Sequence, residues 1–143
     1  MECIFCSIIN GDAESWKVYE DELVVAFFDI FPAAPLHTLV VPKAHFTDIY
    51  DVAPVYLEKI MDVCKTLAAV YKKEFGITDV NLIHGSGKAA QQDVFHFHMH
   101  IVPRFEGDSF KLHYDPNLRL RDDFKENANR VKTALAAADG KDA

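Results

Sequence analysis

Apolar and polar residues alternate most regularly over residues 94–102, where Phe95, Phe97, Met99 and Ile101 interleave with His96, His98 and His100. A period of two is the signature of a β-strand, whose successive side chains point to opposite faces. The run predicts a strand with one apolar face and one imidazole face. Residues 16–20 also alternate, and residues 23–29 are largely apolar; Glu20-Asp21-Glu22 between them predicts a hairpin turn. Residues 36–41 read as a strand stopped by Pro42, and residues 80–83 as a short strand. From residue 54 to 75 the pattern changes. Leu57, Ile60, Met61, Cys64, Leu67, Ala68, Tyr71 and Phe75 recur at helical spacing, with Pro54 suited to a first turn and Gly76 to a C-terminal cap. Residues 122–138 predict a second helix with Phe124, Ala128, Val131 and Leu135 on one side. Residues 85–93 are a polar loop, residues 104–120 read as irregular and residues 137–143 as a frayed tail. Helices and strands do not alternate along the chain, which favours an α+β fold with an antiparallel sheet.

A length of 143 residues, half of them hydrophobic, suits one domain with its own core. The net charge of -7 argues against a protein that coats a nucleic-acid polymer, while leaving a nucleotide ligand open. No apolar run approaches the roughly 20 residues of a membrane span. The N-terminal residues lack a basic segment followed by an apolar one, so no secretory signal is expected. Three cysteines do not form a disulfide framework, and a reducing cytoplasm is the expected location.

The chemistry concentrates in the histidines. Each imidazole carries two nitrogens that need partners when buried. Three on one face imply a cleft, a metal site or a hydrogen-bonded network. An imidazole is also basic near neutral pH, which suits it to nucleophilic attack or proton transfer. Cys3 and Cys6 have the spacing to hold one metal ion, and thiolate with imidazole ligands suits zinc; a pair of reduced, half-buried thiols is the plainer reading. Cys64 falls on the apolar face of the long helix and reads as core.

The run His96-Phe-His-Met-His-Ile-Val resembles the histidine-triad (HIT) family of nucleotidyl hydrolases and transferases. Three further segments agree in order: residues 3–11; residues 26–30, Ala-Phe-Phe-Asp-Ile; and residues 35–45, which carry His37 and His45. Gln92-Asp-Val-Phe precedes the triad, and the likeness spans about residues 3–104, closest to the Hint-like branch. The resemblance implies a single HIT domain over residues 1–143, with its core in 3–104 and a C-terminal extension in 105–143. It implies a five-stranded antiparallel sheet with one long helix, and a homodimer with a ten-stranded sheet.

Carried over, His98 is the nucleophile, supported by His96, His100 and His37. Asp29 holds ribose hydroxyls; Ile4, Phe5, Ile8, Phe27 and Ile30 sandwich a purine; Gln92 and Asp93 approach the phosphates. Zinc would be structural, on Cys3, Cys6, His45 and His96, with no catalytic metal expected. The implied activity is cleavage at the α-phosphate of a purine nucleoside phosphoramidate through a covalent nucleotidyl-histidine. Dinucleoside polyphosphate hydrolysis is a rival activity; His100 argues against the transferase branch, which typically has glutamine there. Two other classes stay open: a zinc-stabilised nucleotide-binding or interaction module with little turnover, and a metalloenzyme using the triad as ligands. The loop departs from the family pattern at Gly85 or Ser86, where Asn is common, and at Gln91, where Gly is common.

Overall fold

Period-two burial organises the molecule into a sheet with different partners on its two faces. The computed structural model describes residues 3–114 and 123–140. Helix α1 (Ile4–Asn10) leads into strands β1 (Lys17–Glu20), β2 (Val24–Phe28) and β3 (Thr38–Pro42). Helix α2 (Pro54–Phe75), β4 (Val80–Ile83), a 3-10 turn (Lys88–Ala90), β5 (Met99–Pro103) and α3 (Phe124–Asp139) follow. The strand order is β1-β2-β3-β5-β4, and every neighbouring pair is antiparallel. The expected α+β class and five-stranded sheet are therefore observed. Contacts divide the chain into two units, residues 1–110 and 111–143.

Along β2 and β3, Val24, Ala26 and Val40 turn toward α2, where Ile60, Val63, Cys64, Leu67 and Tyr71 complete a core. Val25, Phe27, Leu39 and Val41 turn the other way and meet Phe5 and Ile8 of α1. Helix α2 has the predicted bounds. Pro54 fills its first turn, and Gly76 ends it at φ 69° while its N–H reaches the Lys72 carbonyl. Asp21 builds the expected β1–β2 turn: its carboxylate accepts the N–H groups of Leu23 and Val24 and the Tyr19 hydroxyl. Those donors, with Lys59, hold its pKa down to about 2 against the opposing effect of burial.

The histidine run departs from the expected strand. Strand β5 begins only at Met99. Upstream, backbone groups bond elsewhere: Phe97 N–H donates to the Phe46 carbonyl, and the His96 and His98 carbonyls accept from imidazoles. The alternation survives, since Phe97, Met99 and Ile101 join the α2 core, but Phe95 is 45% exposed rather than buried.

Helix α1 was not anticipated, because seven residues with two buried side chains carry no readable period. In the second unit, α3 starts at Phe124, capped by the Asp123 carboxylate accepting Glu126 N–H. Phe124, Val131 and Leu135 on it are exposed. Asp122, residues 115–120 of the expected irregular stretch and residues 141–143 of the expected frayed tail lie outside the described residues. Among the described residues, no helix is long and apolar enough to cross a membrane.

Candidate active site and metal-ligand cluster

The hydrogen bonds of the imidazoles fix which nitrogen of each ring carries the proton. His98 Nδ1 donates to the His96 carbonyl at 2.7 Å. Its Nε2 is therefore unprotonated, and it faces a cleft, 3.8 Å from the Asp93 carboxylate. The Ala33 N–H donates to His37 Nδ1 at 2.9 Å, so His37 carries its proton on Nε2 and donates it to His100 Nδ1, also at 2.9 Å. His100 is left with an Nε2–H to offer the cleft. The result is a lone pair on His98 beside a donor on His100, with ring centres 4.9 Å apart.

Burial reinforces this protonation state. Desolvation is the largest cause of depressed pKa values at His37, His96 and His98, and it pushes His100 down to about 4 with help from His98 and His37. At His98 the His96 carbonyl and Asp93 oppose the shift without reversing it. All four rings are neutral at pH 7, as a nucleophilic imidazole requires.

The cleft, about 230 Å³, opens between α1 and the end of β2. Phe5, Ile8, Phe27 and Leu39 form its floor, and Ile4 and Ile30 stand exposed at its mouth. An apolar slot with a few convergent polar groups suits a flat ligand. Phe5 packs edge-on against both Phe27 and His98, with ring centres 5.5 and 5.2 Å apart, and so joins the apolar end to the reactive ring. Asp29 lines the wall at the end of β2, its carboxylate accepting Phe31 N–H and lying 3.6 Å from His37 Nε2. Of the residues anticipated from sequence, the structure brings Ile4, Phe5, Ile8, Phe27, Asp29, Ile30, Asp93, His98 and His100 to this cleft. His37 sits behind His100. Gln92 points away: its side-chain oxygen accepts Gly87 N–H, and its nitrogen donates to the Thr47 and Val94 carbonyls. It braces the loop.

His96 turns from the cleft toward the cysteines. Its Nε2 donates to the Pro42 carbonyl at 2.8 Å, which leaves the Nδ1 lone pair facing Cys3 and Cys6 at 3.5 and 3.6 Å. Cys6 also lies 3.4 Å from His45 Nδ1. A tetrahedral zinc with ligand bonds of about 2.3 Å to sulfur and 2.05 Å to nitrogen sets each sulfur–nitrogen edge at about 3.6 Å. The three separations match that edge, and all four ligand atoms lie within 4.8 Å of one another. The donor set and its supporting carbonyl thus fit zinc. Asp29, His37 and His100 also converge within 4.8 Å, but His37 Nε2 holds a proton that the Ala33 N–H prevents from moving to Nδ1. That trio is built as a hydrogen-bond relay.

The HIT domain profile matches residues 10–107. The chain belongs to the HIT family. It is 40% identical over 135 residues to an uncharacterized HIT-like protein of Borreliella burgdorferi, covering 91% of this chain and 96% of the relative. The histidine triad nucleotide-binding protein of Candida albicans superposes with a TM-score of 0.85 at 30% identity, covering 96% of this chain and 99% of that one. A zinc-bound histidine triad family protein from Mycobacterium smegmatis superposes with a TM-score of 0.74 at 36% identity, covering 99% and 98%.

Within this HIT fold the loop before the triad resolves its two departures. Gln91 adopts φ 64°, so the backbone follows the left-handed path that glycine favours, in a side chain that tolerates it poorly. A Cβ on Gly85 would lie 2.4 Å from the Ala90 carbonyl oxygen, so no side chain fits there without a shift. His84, which sequence reasoning left aside, proves integral. Its Nδ1 donates to the His98 carbonyl at 2.8 Å, its Nε2 accepts from the Ser86 hydroxyl, and its ring stacks on Phe97. Only spatial proximity reveals this; a lone histidine at the end of a strand carries no sequence signal.

Proposed function

We propose that this HIT protein is a hydrolase that cleaves at the α-phosphate of a purine nucleoside phosphoramidate or a related nucleotidyl bond, through a covalent intermediate on His98. HIT family members are in general nucleotide hydrolases or transferases. The observation that carries the reading is the His98 Nδ1–H bond to the His96 carbonyl, which presents an unprotonated Nε2 to the cleft.

The base lies between Phe5, Ile8 and Phe27, with Ile4 and Ile30 closing over it, and Asp29 accepts from ribose hydroxyls. His98 Nε2 attacks phosphorus as the P–N bond breaks. The departing nitrogen takes the bonding pair and one proton from solvent, leaving as an amine. Water then adds to phosphorus, the Nε2–P bond breaks, nucleoside monophosphate forms and the borrowed proton returns to solvent. His100 acts as a hydrogen-bond donor to a phosphoryl oxygen. Surrendering that proton would draw on His37, whose own Nδ1 is already occupied by the Ala33 N–H. His96 acts through its carbonyl, which orients His98.

Zinc on Cys3, Cys6, His45 and His96 is part of the proposal as a structural link. It would tie α1, the segment after β3 and the segment before β5 together. A homodimer in the cytoplasm completes the reading. The dinucleoside polyphosphate alternative uses the same nucleophile and differs in the leaving group. His98→Ala should lower turnover of an adenosine phosphoramidate by several orders of magnitude while circular dichroism shows the fold intact. Retained turnover in that variant would reject the assignment.

A further inference from the structure

The cleft has an unusual charge. The titratable side chains lining it other than histidines are Glu14, Asp29 and Asp93, and among the described residues no Lys or Arg lines it. Lys88, in the same loop as Asp93, lies outside the lining. Asp29 is turned toward the relay, accepting Phe31 N–H beside His37. Asp93 is different. One carboxylate oxygen accepts Val94 N–H and lies 3.8 Å from His98 Nε2, and the side chain is 83% exposed. It is an exposed carboxylate in the cleft lining beside the reactive nitrogen of His98.

A negative charge there repels an incoming phosphoryl group and repels an anionic leaving group more. A polyphosphate chain would bring several further negative charges past Asp93 with no cation in the lining to receive them. A leaving group bearing an ammonium would bring the opposite charge. Solvent exposure weakens both effects without changing their sign.

We propose that Asp93 is a specificity-determining residue that selects substrates whose leaving group is cationic, in effect nucleoside phosphoramidates of amines carrying a second, positively charged nitrogen, over those with anionic leaving groups. This rests on the hydrolase reading above. It deepens that reading by ranking the phosphoramidate class ahead of polyphosphates. The chemistry of the step is unchanged: the P–N pair departs with the amine, which takes a solvent proton. Asp93 stabilises the ammonium terminus during entry and departure and exchanges no proton.

The test uses three adenosine phosphoramidates with the same P–N bond and the same alkyl chain length, ending in an ammonium, a hydroxyl or a carboxylate. A unit charge pair roughly 5 Å apart near the dielectric constant of water corresponds to about a fourfold preference. The wild type should therefore favour the ammonium substrate about fourfold in kcat/KM over the neutral one, and about tenfold or more over the carboxylate one. Asp93→Asn should collapse these ratios toward one, Asp93→Lys should invert them, and added salt should shrink them in the wild type. Ratios that are unchanged in both variants, with substrates still turned over, overturn the charge selection and leave the hydrolase reading intact. No turnover of any of the three by the wild type, with no adduct on His98, overturns the hydrolase reading and the selection with it.

Discussion

Substitution of Phe5 by alanine, measured with and without zinc, tests whether the Cys/His cluster builds the nucleotide cleft. Phe5 is 6% exposed and sits on α1 between Phe27, His96 and His98. Removing a buried phenyl ring costs about 3–5 kcal/mol when the surroundings stay in place. For a protein of about this size that corresponds to a melting shift of roughly 6–20 °C. Helix α1 has only seven residues, below the length at which a helix holds itself in water, and both cysteines of the cluster lie at its N-terminal end. If zinc anchors it, chelation releases α1 and exposes Phe5 before any substitution is made. Phe5→Ala should then destabilise the zinc-loaded protein by the full amount and the chelated protein by under about 1 kcal/mol. Urea and thermal unfolding, each run with excess zinc and with chelator, supply the four values of this cycle. Equal losses in both conditions would show that α1 docks without the metal and would refute the argument.

Three further outcomes follow from the same geometry. The neutral imidazoles make the fold acid-sensitive: the unfolded chain takes up protons from about pH 6.5 downward while the folded rings resist. Stability is therefore full above 6.5 and should fall steadily toward pH 4, near the His100 value, as thermal melts across pH would show. A melting temperature that is flat from pH 7 to 4.5 would contradict the depressed values. Gly85→Ala places a methyl 2.4 Å from the Ala90 carbonyl oxygen and should cost about 1–3 kcal/mol by denaturant titration, with weaker turnover as the loop shifts; a neutral effect would mean the loop yields freely. His37→Phe removes the donor to His100 Nδ1 and should lower kcat more than it raises KM, whereas a pure KM effect would place His37 in ground-state binding.

What could be read from sequence divides along physical lines. The α2 helix was legible to the residue because twenty-two positions of periodic burial run between a proline and a glycine whose backbone preferences mark the ends. Strands β2 and β3 were legible as apolar runs, but a continuous run carries no period that would show Val24 and Val25 answering to different cores. The histidine run was legible as an alternation and not as a strand. Its upstream carbonyls are taken by the His98 and His84 rings, a competition between side chain and backbone that no periodicity encodes. The family resemblance made Gln92 a phosphate contact; its side-chain polar atoms in fact hold the loop. Asp21 was legible as part of a turn, but not as the carboxylate whose accepted N–H bonds hold that turn. In these last cases the missing information was which donor meets which acceptor, and that depends on three dimensions.

The central claim is that His98 forms the bond to phosphorus. Mixing the protein with an adenosine phosphoramidate, quenching within the first turnover under alkaline conditions and mapping the modified peptide by mass spectrometry tests it most directly. The account predicts one adenylyl group on His98, formed and lost at rates compatible with turnover. Steady turnover with no adduct, or an adduct on another histidine such as His84 or His100, would contradict it.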